Sequence, residues 1–129
     1  MPLNLFAYGS LMCADRLRTV SACRRRPRPG VLKGYSRRFI KNARYPGLRR
    51  DPSGQVEGVL YRNLPDSAWE RLDRFEGELY VRRQVRVRCD DGRTRAAIVY
   101  VTPPRYLRRL GKSDWDIAAF KKLRRVSVG

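Results

Sequence analysis

Residues 72–80 read Leu72-Asp73-Arg74-Phe75-Glu76-Gly77-Glu78-Leu79-Tyr80, and within them the periodicity of the chain changes. Upstream, Pro65-Asp66-Ser67 is a helix-start signal. Glu70 follows Ser67 by three residues, as in a capping box, and Ala68, Leu72 and Phe75 share a face flanked by Trp69. Gly77 supplies the stop, because it adopts the left-handed conformation that a helix C-terminus often needs. Downstream, Tyr80-Val81 and then Val85, Val87 and Cys89 alternate with arginines as far as Asp90-Asp91-Gly92, a tight-turn signal, and Ala96 to Val101 returns as a second strand. The stretch is therefore where a helix feeds a β-hairpin.

Glu76 stands on that junction. A carboxylate in the last turn of a helix faces the negative end of the backbone dipole, and partial burial acts in the same sense. Both raise its pKa towards neutrality, where a group that takes and returns a proton works best. The competing reading is a surface glutamate paired with Arg74, Arg82 or Arg83. Glu78, past the stop, is the rival carboxylate in a more solvated turn, and Asp73 is expected to make surface pairs with arginine.

Working outward, Leu3 to Tyr8 is an apolar run ending at Gly9 and reads as a buried first strand. Gly9 and Ser10 open a segment from Leu11 to Val20 with helical spacing, Asp15 early and Arg18 late. Arg24-Arg25-Arg26-Pro27-Arg28-Pro29-Gly30 repels itself and carries two prolines, so it reads as an exposed connection. Val31 to Ile40 is extended around Gly34. Tyr45-Pro46-Gly47 and Asp51-Pro52-Ser53-Gly54 are turn signals, and Gln55 to Tyr61 alternates as a strand. Gly34 and Gly58 read as bends or close backbone approaches. Pro103-Pro104 ends the hairpin, and a last helix is expected over Ser113 to Arg125. Strand, helix, several strands, helix, hairpin and helix add up to an α+β protein. Its sheet, mostly antiparallel, is expected to curl into a partial barrel that packs one or two helices, with a barrel mouth that suits a small-molecule pocket.

The 129 residues suit one domain over 1–129, and no apolar run approaches the length of a membrane span, so the expected location is cytoplasmic. Cys13, Cys23 and Cys89 are odd in number and widely spaced, with neither a C-x-x-C pair nor a histidine, so no disulfide framework, zinc site or other metal site is suggested. The absence of histidine removes the usual base and the Ser-His and Cys-His pairings. The net charge of +18 invites a nucleic-acid reading, but of 30 basic residues only five are lysine, and the 25 arginines are spread through nearly every segment. That pattern suits loose polyanion association better than a specific nucleic-acid interface.

Two constellations carry chemistry. Tyr8-Gly9-Ser10-Leu11 is a strand-to-helix turn whose backbone N–H groups suit an anion such as a carboxylate, helped by the helix dipole. Ser10 lacks a base and the glycine spacing of a nucleophile elbow, and Cys13 lacks a base too, although Arg16 lies near it in sequence. The second constellation is Glu76 with Tyr80 and the aromatic surroundings of Tyr35, Tyr45 and Tyr61.

Taken together, FAYGSLM at 6–12, GVLKGY at 30–35, YPG at 45–47, VEGVLY at 56–61, LDRFEGELYVRRQVRV at 72–87 and AIVYV at 97–101 resemble the gamma-glutamylcyclotransferase-like family. Their order and spacing are similar to its compact branch, which includes the gamma-glutamylamine cyclotransferases. The resemblance implies a small mixed, mostly antiparallel β-barrel flanked by helices, with a pocket between the YGSL turn and the glutamate of the FEG segment. Tyr8, Gly9, Ser10 and Leu11 would hold the amino-acid end of a γ-glutamyl group, Glu76 would be the acid/base, and Tyr80 would line the pocket. The reaction it implies is attack of the substrate's α-amine on its own γ-carbonyl, releasing 5-oxoproline and an amine with no metal or cofactor. A non-catalytic ligand-binding or regulatory module of the same fold, and a polyanion-binding protein, are the alternatives. Arginines at 24–26, 82 and 83 point to an acidic leaving group if several of them face the pocket.

Overall fold

The computed structural model describes residues 3–39, 46–77 and 80–101. Five strands, β1 (Leu3–Ala7), β2 (Arg28–Phe39), β3 (Pro46–Leu64), β4 (Val81–Cys89) and β5 (Thr94–Val101), close a barrel in the order β1-β3-β2-β4-β5. Every pair is antiparallel except β1 with β5, where Leu5 lies opposite Ile98 and seals the barrel. Two helices, α1 (Ala14–Ser21) and α2 (Asp66–Glu76), pack on its outside. The fold is the mixed, mostly antiparallel barrel with flanking helices that the sequence implies. Among the described residues no helix is long and apolar enough to cross a membrane.

Alternation along the strands produces two apolar layers. Phe6, Leu32, Leu60, Val87 and Val99 fill the barrel interior, while Leu5, Ala7, Leu17, Tyr61, Leu64, Ala68, Trp69 and Leu72 join the barrel wall to the helices. Burying each leucine, valine or phenylalanine among them contributes about 1.5–3 kcal/mol. The backbones come close at Gly58, where a Cβ would stand 2.4 Å from the Ala7 carbonyl oxygen and 2.7 Å from Phe6 Cζ. The hairpin forms as read, with Val81↔Val101 to Arg88↔Thr94 in register around Asp90-Asp91-Gly92.

Several local expectations are corrected. The helix expected from Leu11 starts at Ala14, after a 3-10 turn at Ser10–Met12 and an extended Cys13. The Tyr61 hydroxyl donates to the Leu11 and Met12 carbonyl oxygens at 2.6 and 3.1 Å and so holds this turn against β3. The arginine-proline connection is shorter than expected, because Arg28, Pro29 and Gly30 already pair with Leu60, Val59 and Gly58. Pairing across the sheet outweighs the local breaker signal. Asp51-Pro52-Ser53-Gly54 does not end a strand. It bulges within β3, since Lys33 lies opposite Gln55 and Tyr35 opposite Arg50, and Asp51 Oδ1 accepts from the Ser53 amide and hydroxyl. β3 already begins at Pro46, so Pro46 and Gly47 of the expected turn are strand residues; Tyr45, the expected end at Pro103-Pro104 and the final helix lie outside the described residues.

At α2 the capping box is not formed. Pro65 is the N-cap, with no side-chain cap bond, and its carbonyl accepts from the Ala68 and Trp69 amides. Ala68, Trp69 and Leu72 are buried as a face, but Phe75 is 38% exposed, because the helix end turns towards an opening instead of the core. Gly77 ends the helix at φ 62°, a left-handed φ available to glycine at little cost.

Candidate active site

The opening is a cavity of about 180 Å³ between the end of β1 and the end of α2. Tyr8, Gly9, Ser10 and Leu11 form one side, Phe75, Glu76 and Tyr80 the other, and Leu5, Phe6, Ala7 and Tyr100 complete the wall. Glu76, Tyr8, Gly9, Ser10, Leu11 and Tyr80, separated by up to 72 positions in sequence, thus line one space. Tyr35 and Tyr61 do not join them. Tyr35 packs into the barrel under Arg50, and Tyr61 holds the Leu11 carbonyl behind the turn. Tyr45 and Glu78 lie outside the described residues.

Glu76 is the last residue of α2 and is partly buried. Burial, reinforced by the nearby Asp73 charge, pushes its carboxyl up to about 8. The ion-pair alternative is not what the fold builds. Among the described residues none of Arg74, Arg82 and Arg83 pairs with Glu76. Arg82 instead grips Asp73, Nε to Oδ1 at 2.8 Å and Nη2 to Oδ2 at 2.5 Å, and the Tyr100 hydroxyl donates to the same carboxylate at 2.7 Å. Burial works against the Asp73 charge, but these bonds outweigh it and its pKa is lowered. Asp73 is thus the arginine-paired surface carboxylate that the sequence suggests.

The turn is held from outside the cavity. Ser10 and Leu11 open a 3-10 turn, so their amides have no carbonyl one turn back to bond to. The dipole of α1 adds nothing at Gly9, since that helix starts at Ala14. The Tyr8 hydroxyl is committed to the Tyr100 carbonyl oxygen at 2.5 Å, and burial first, then Tyr80 and Glu76, keep its pKa well above the usual range. Tyr8 therefore shapes the wall as a neutral group.

Sequence reasoning missed Arg37, Phe75 and Tyr100 as residues of this site. Arg37 Nη1 donates to the Tyr8 carbonyl oxygen at 3.1 Å and to that of Glu57 at 3.2 Å, fixing the peptide plane that leads into Gly9. No local pattern signals that reach over 29 positions. Among the described residues lining the cavity there is no arginine, so the expectation of an acidic leaving group loses its support.

Fold and cavity together define a class, a small closed barrel in which a backbone turn faces a desolvated carboxylate that has no ion-pair partner among the described residues. The family model described as gamma-glutamyl cyclotransferase, AIG2-like, matches residues 5–117, and the chain belongs to that family. The chain is 32% identical over 124 residues to the glutathione-specific gamma-glutamylcyclotransferase of Escherichia coli, covering 81% of this chain and 49% of that protein. It is 28% identical over 102 residues to a Methanocaldococcus jannaschii protein named gamma-glutamylcyclotransferase and putative RNase, covering 76% and 45% respectively. The chain thus spans about half the length of these curated relatives. A solution structure from Arabidopsis thaliana superposes with a TM-score of 0.75 at 25% identity, covering 98% of this chain and 76% of the other.

Proposed function

We propose that the chain is a cofactor-independent cyclotransferase that converts a γ-glutamyl amine or a related γ-glutamyl compound into 5-oxoproline and a free amine. The Gly9–Leu11 backbone holds the α-carboxylate, or the charge that develops on the γ-carbonyl oxygen, and Glu76 handles the protons. The α-nitrogen forms a bond to the γ-carbon, and the amide bond to the leaving amine breaks. Two hydrogens leave the α-ammonium as the lactam N–H forms, and two arrive on the expelled nitrogen. One carboxyl group that alternates between charged and neutral forms moves them in turn, and no enzyme nucleophile is required.

The observation that carries this reading is the Glu76 carboxyl, without an ion-pair partner among the described residues, across the cavity from the Gly9–Leu11 turn, with its pKa raised to about 8. A carboxylate without a cation in a partly desolvated site favours a ligand that brings one, and an incoming α-ammonium group then favours the charged, proton-accepting form. The test is incubation with a panel of γ-glutamyl amines and γ-glutamyl amino acids, with 5-oxoproline as the readout. Release from at least one member is expected. Binding without release supports the non-catalytic module, and neither binding nor release overturns both.

A further inference from the structure

α2 carries Asp73 and Glu76 three residues apart, and such pairs are neighbours on a helix surface, with Cβ atoms about 5–6 Å apart. Their surroundings differ. Glu76 lines the cavity, whereas Asp73 lies beside it in a frame drawn from two strands, with Arg82 of β4 and Tyr100 of β5 both donating to its carboxylate. Each partner is itself fixed. The Arg82 guanidinium carbon stands 4.9 Å from the centre of the Trp69 ring, and Tyr100, a cavity residue, accepts the Tyr8 hydroxyl on its carbonyl oxygen. An ion pair with Arg82 alone leaves an exposed aspartate free to swing. The Tyr100 bond ties it to the cavity wall.

We propose that Asp73 is a positioning residue for the reaction: clamped by Arg82 and Tyr100, its fixed negative charge keeps a proton on Glu76 in the empty cavity until a substrate ammonium group arrives. The inference rests on the cyclotransferase reading. Asp73 acts through Glu76 and touches no reacting atom. It is one of the two sources of the raised Glu76 pKa, the other being burial. Among the described residues, the other titratable groups that line the cavity with Glu76 are Tyr8 at the end of β1, Tyr80 ahead of β4 and Tyr100 on β5; of the nearby cations, Arg82 on β4 is bound to Asp73 and Arg16 of α1 lies 5.2 Å from the centre of the Phe75 ring. Burial holds Tyr8 and Tyr100 above the usual phenol range, so both stay neutral where Glu76 titrates. Asp73 and Arg82 carry opposite charges, so removing each must move Glu76 in opposite directions.

The test follows the Glu76 carboxyl carbon by nuclear magnetic resonance across pH, assigned by its loss in E76Q, in the wild type, D73N and R82Q. It is paired with the pH profile of kcat/KM for 5-oxoproline release. The D73N midpoint is expected about 0.5–1 unit lower and the R82Q midpoint higher by a similar amount, with the acid limb of the rate profile following. An unmoved midpoint in D73N, or a shift of both variants in one direction as a merely loosened helix end would give, overturns the proposal. If D73N does not fold, R82Q decides alone, since an unmoved midpoint there is equally fatal. The titration needs no turnover, so a chain that releases no 5-oxoproline fails the cyclotransferase reading separately.

Discussion

The tip of the β4–β5 hairpin and the junction between α2 and β4 use similar parts to opposite ends. Each turns on a glycine of positive φ, 81° at Gly92 and 62° at Gly77, and each places carboxylates among arginines. At the tip, Asp91 accepts from Arg95 Nη1 and Nη2 at 3.0 and 2.8 Å and from the Arg93 amide at 3.0 Å, bonds that hold its carboxyl below the usual range. Asp90 has Arg28 at 3.8 Å. At the junction, Glu76 has no such partner among the described residues and titrates near 8. With 30 basic residues against 12 acidic ones, a cation is seldom out of reach. Among the described residues Glu76 is left without one, and in the proposed reaction it is there that the substrate's ammonium group is received.

The strongest way to break this contrast is to neutralise one carboxylate in each region. E76Q is expected to keep the fold and lower 5-oxoproline formation by about 10²–10⁴-fold, the usual worth of a general acid/base, while D91N leaves the rate unchanged. Wild-type turnover in E76Q would erase the distinction. The same E76Q variant sharpens the contrast through stability. The folded-state pKa of Glu76 lies above its ordinary value of 4.5, so folding favours the protonated form. That contribution is fully present below pH 4.5 and is lost as pH rises through about 8. Denaturant titration should therefore find E76Q more stable than wild type by about 1–3 kcal/mol at pH 9, and no more stable at pH 4. A smaller effect concerns the facing turn. R37M removes the donor that fixes the Tyr8 carbonyl, and it should raise KM about tenfold with little change in kcat. An unchanged KM would show that the turn holds its shape without Arg37.

The hairpin and both helices were legible because their signals are local. Period-two alternation of Val85, Val87 and Cys89, the Asp-Asp-Gly turn, and the Gly77 stop depend on neighbours in sequence. Glu76 was legible for a further reason, since without histidine few groups in the chain titrate near neutrality. What stayed hidden depends on register. Asp51-Pro52-Ser53-Gly54 has the same chemistry in a bulge as in a turn, and only the pairing of β2 with β3 decides between them. The Tyr61 bonds to the turn ahead of α1 span about 50 positions, and Tyr100 reaches Asp73 over 27. No short pattern encodes those contacts. Phe75 has the spacing of a core residue, yet it sits at the cavity because α2 runs out over the barrel mouth.

The central claim is that Glu76 is a desolvated carboxyl group at the edge of a cavity, protonated at neutral pH until a cation arrives. The most direct measurement is the titration of its carboxyl carbon in the ligand-free wild-type protein. A midpoint near 8 is predicted, and a midpoint near 4.5, the value of an ordinary solvated or paired glutamate, would contradict the account.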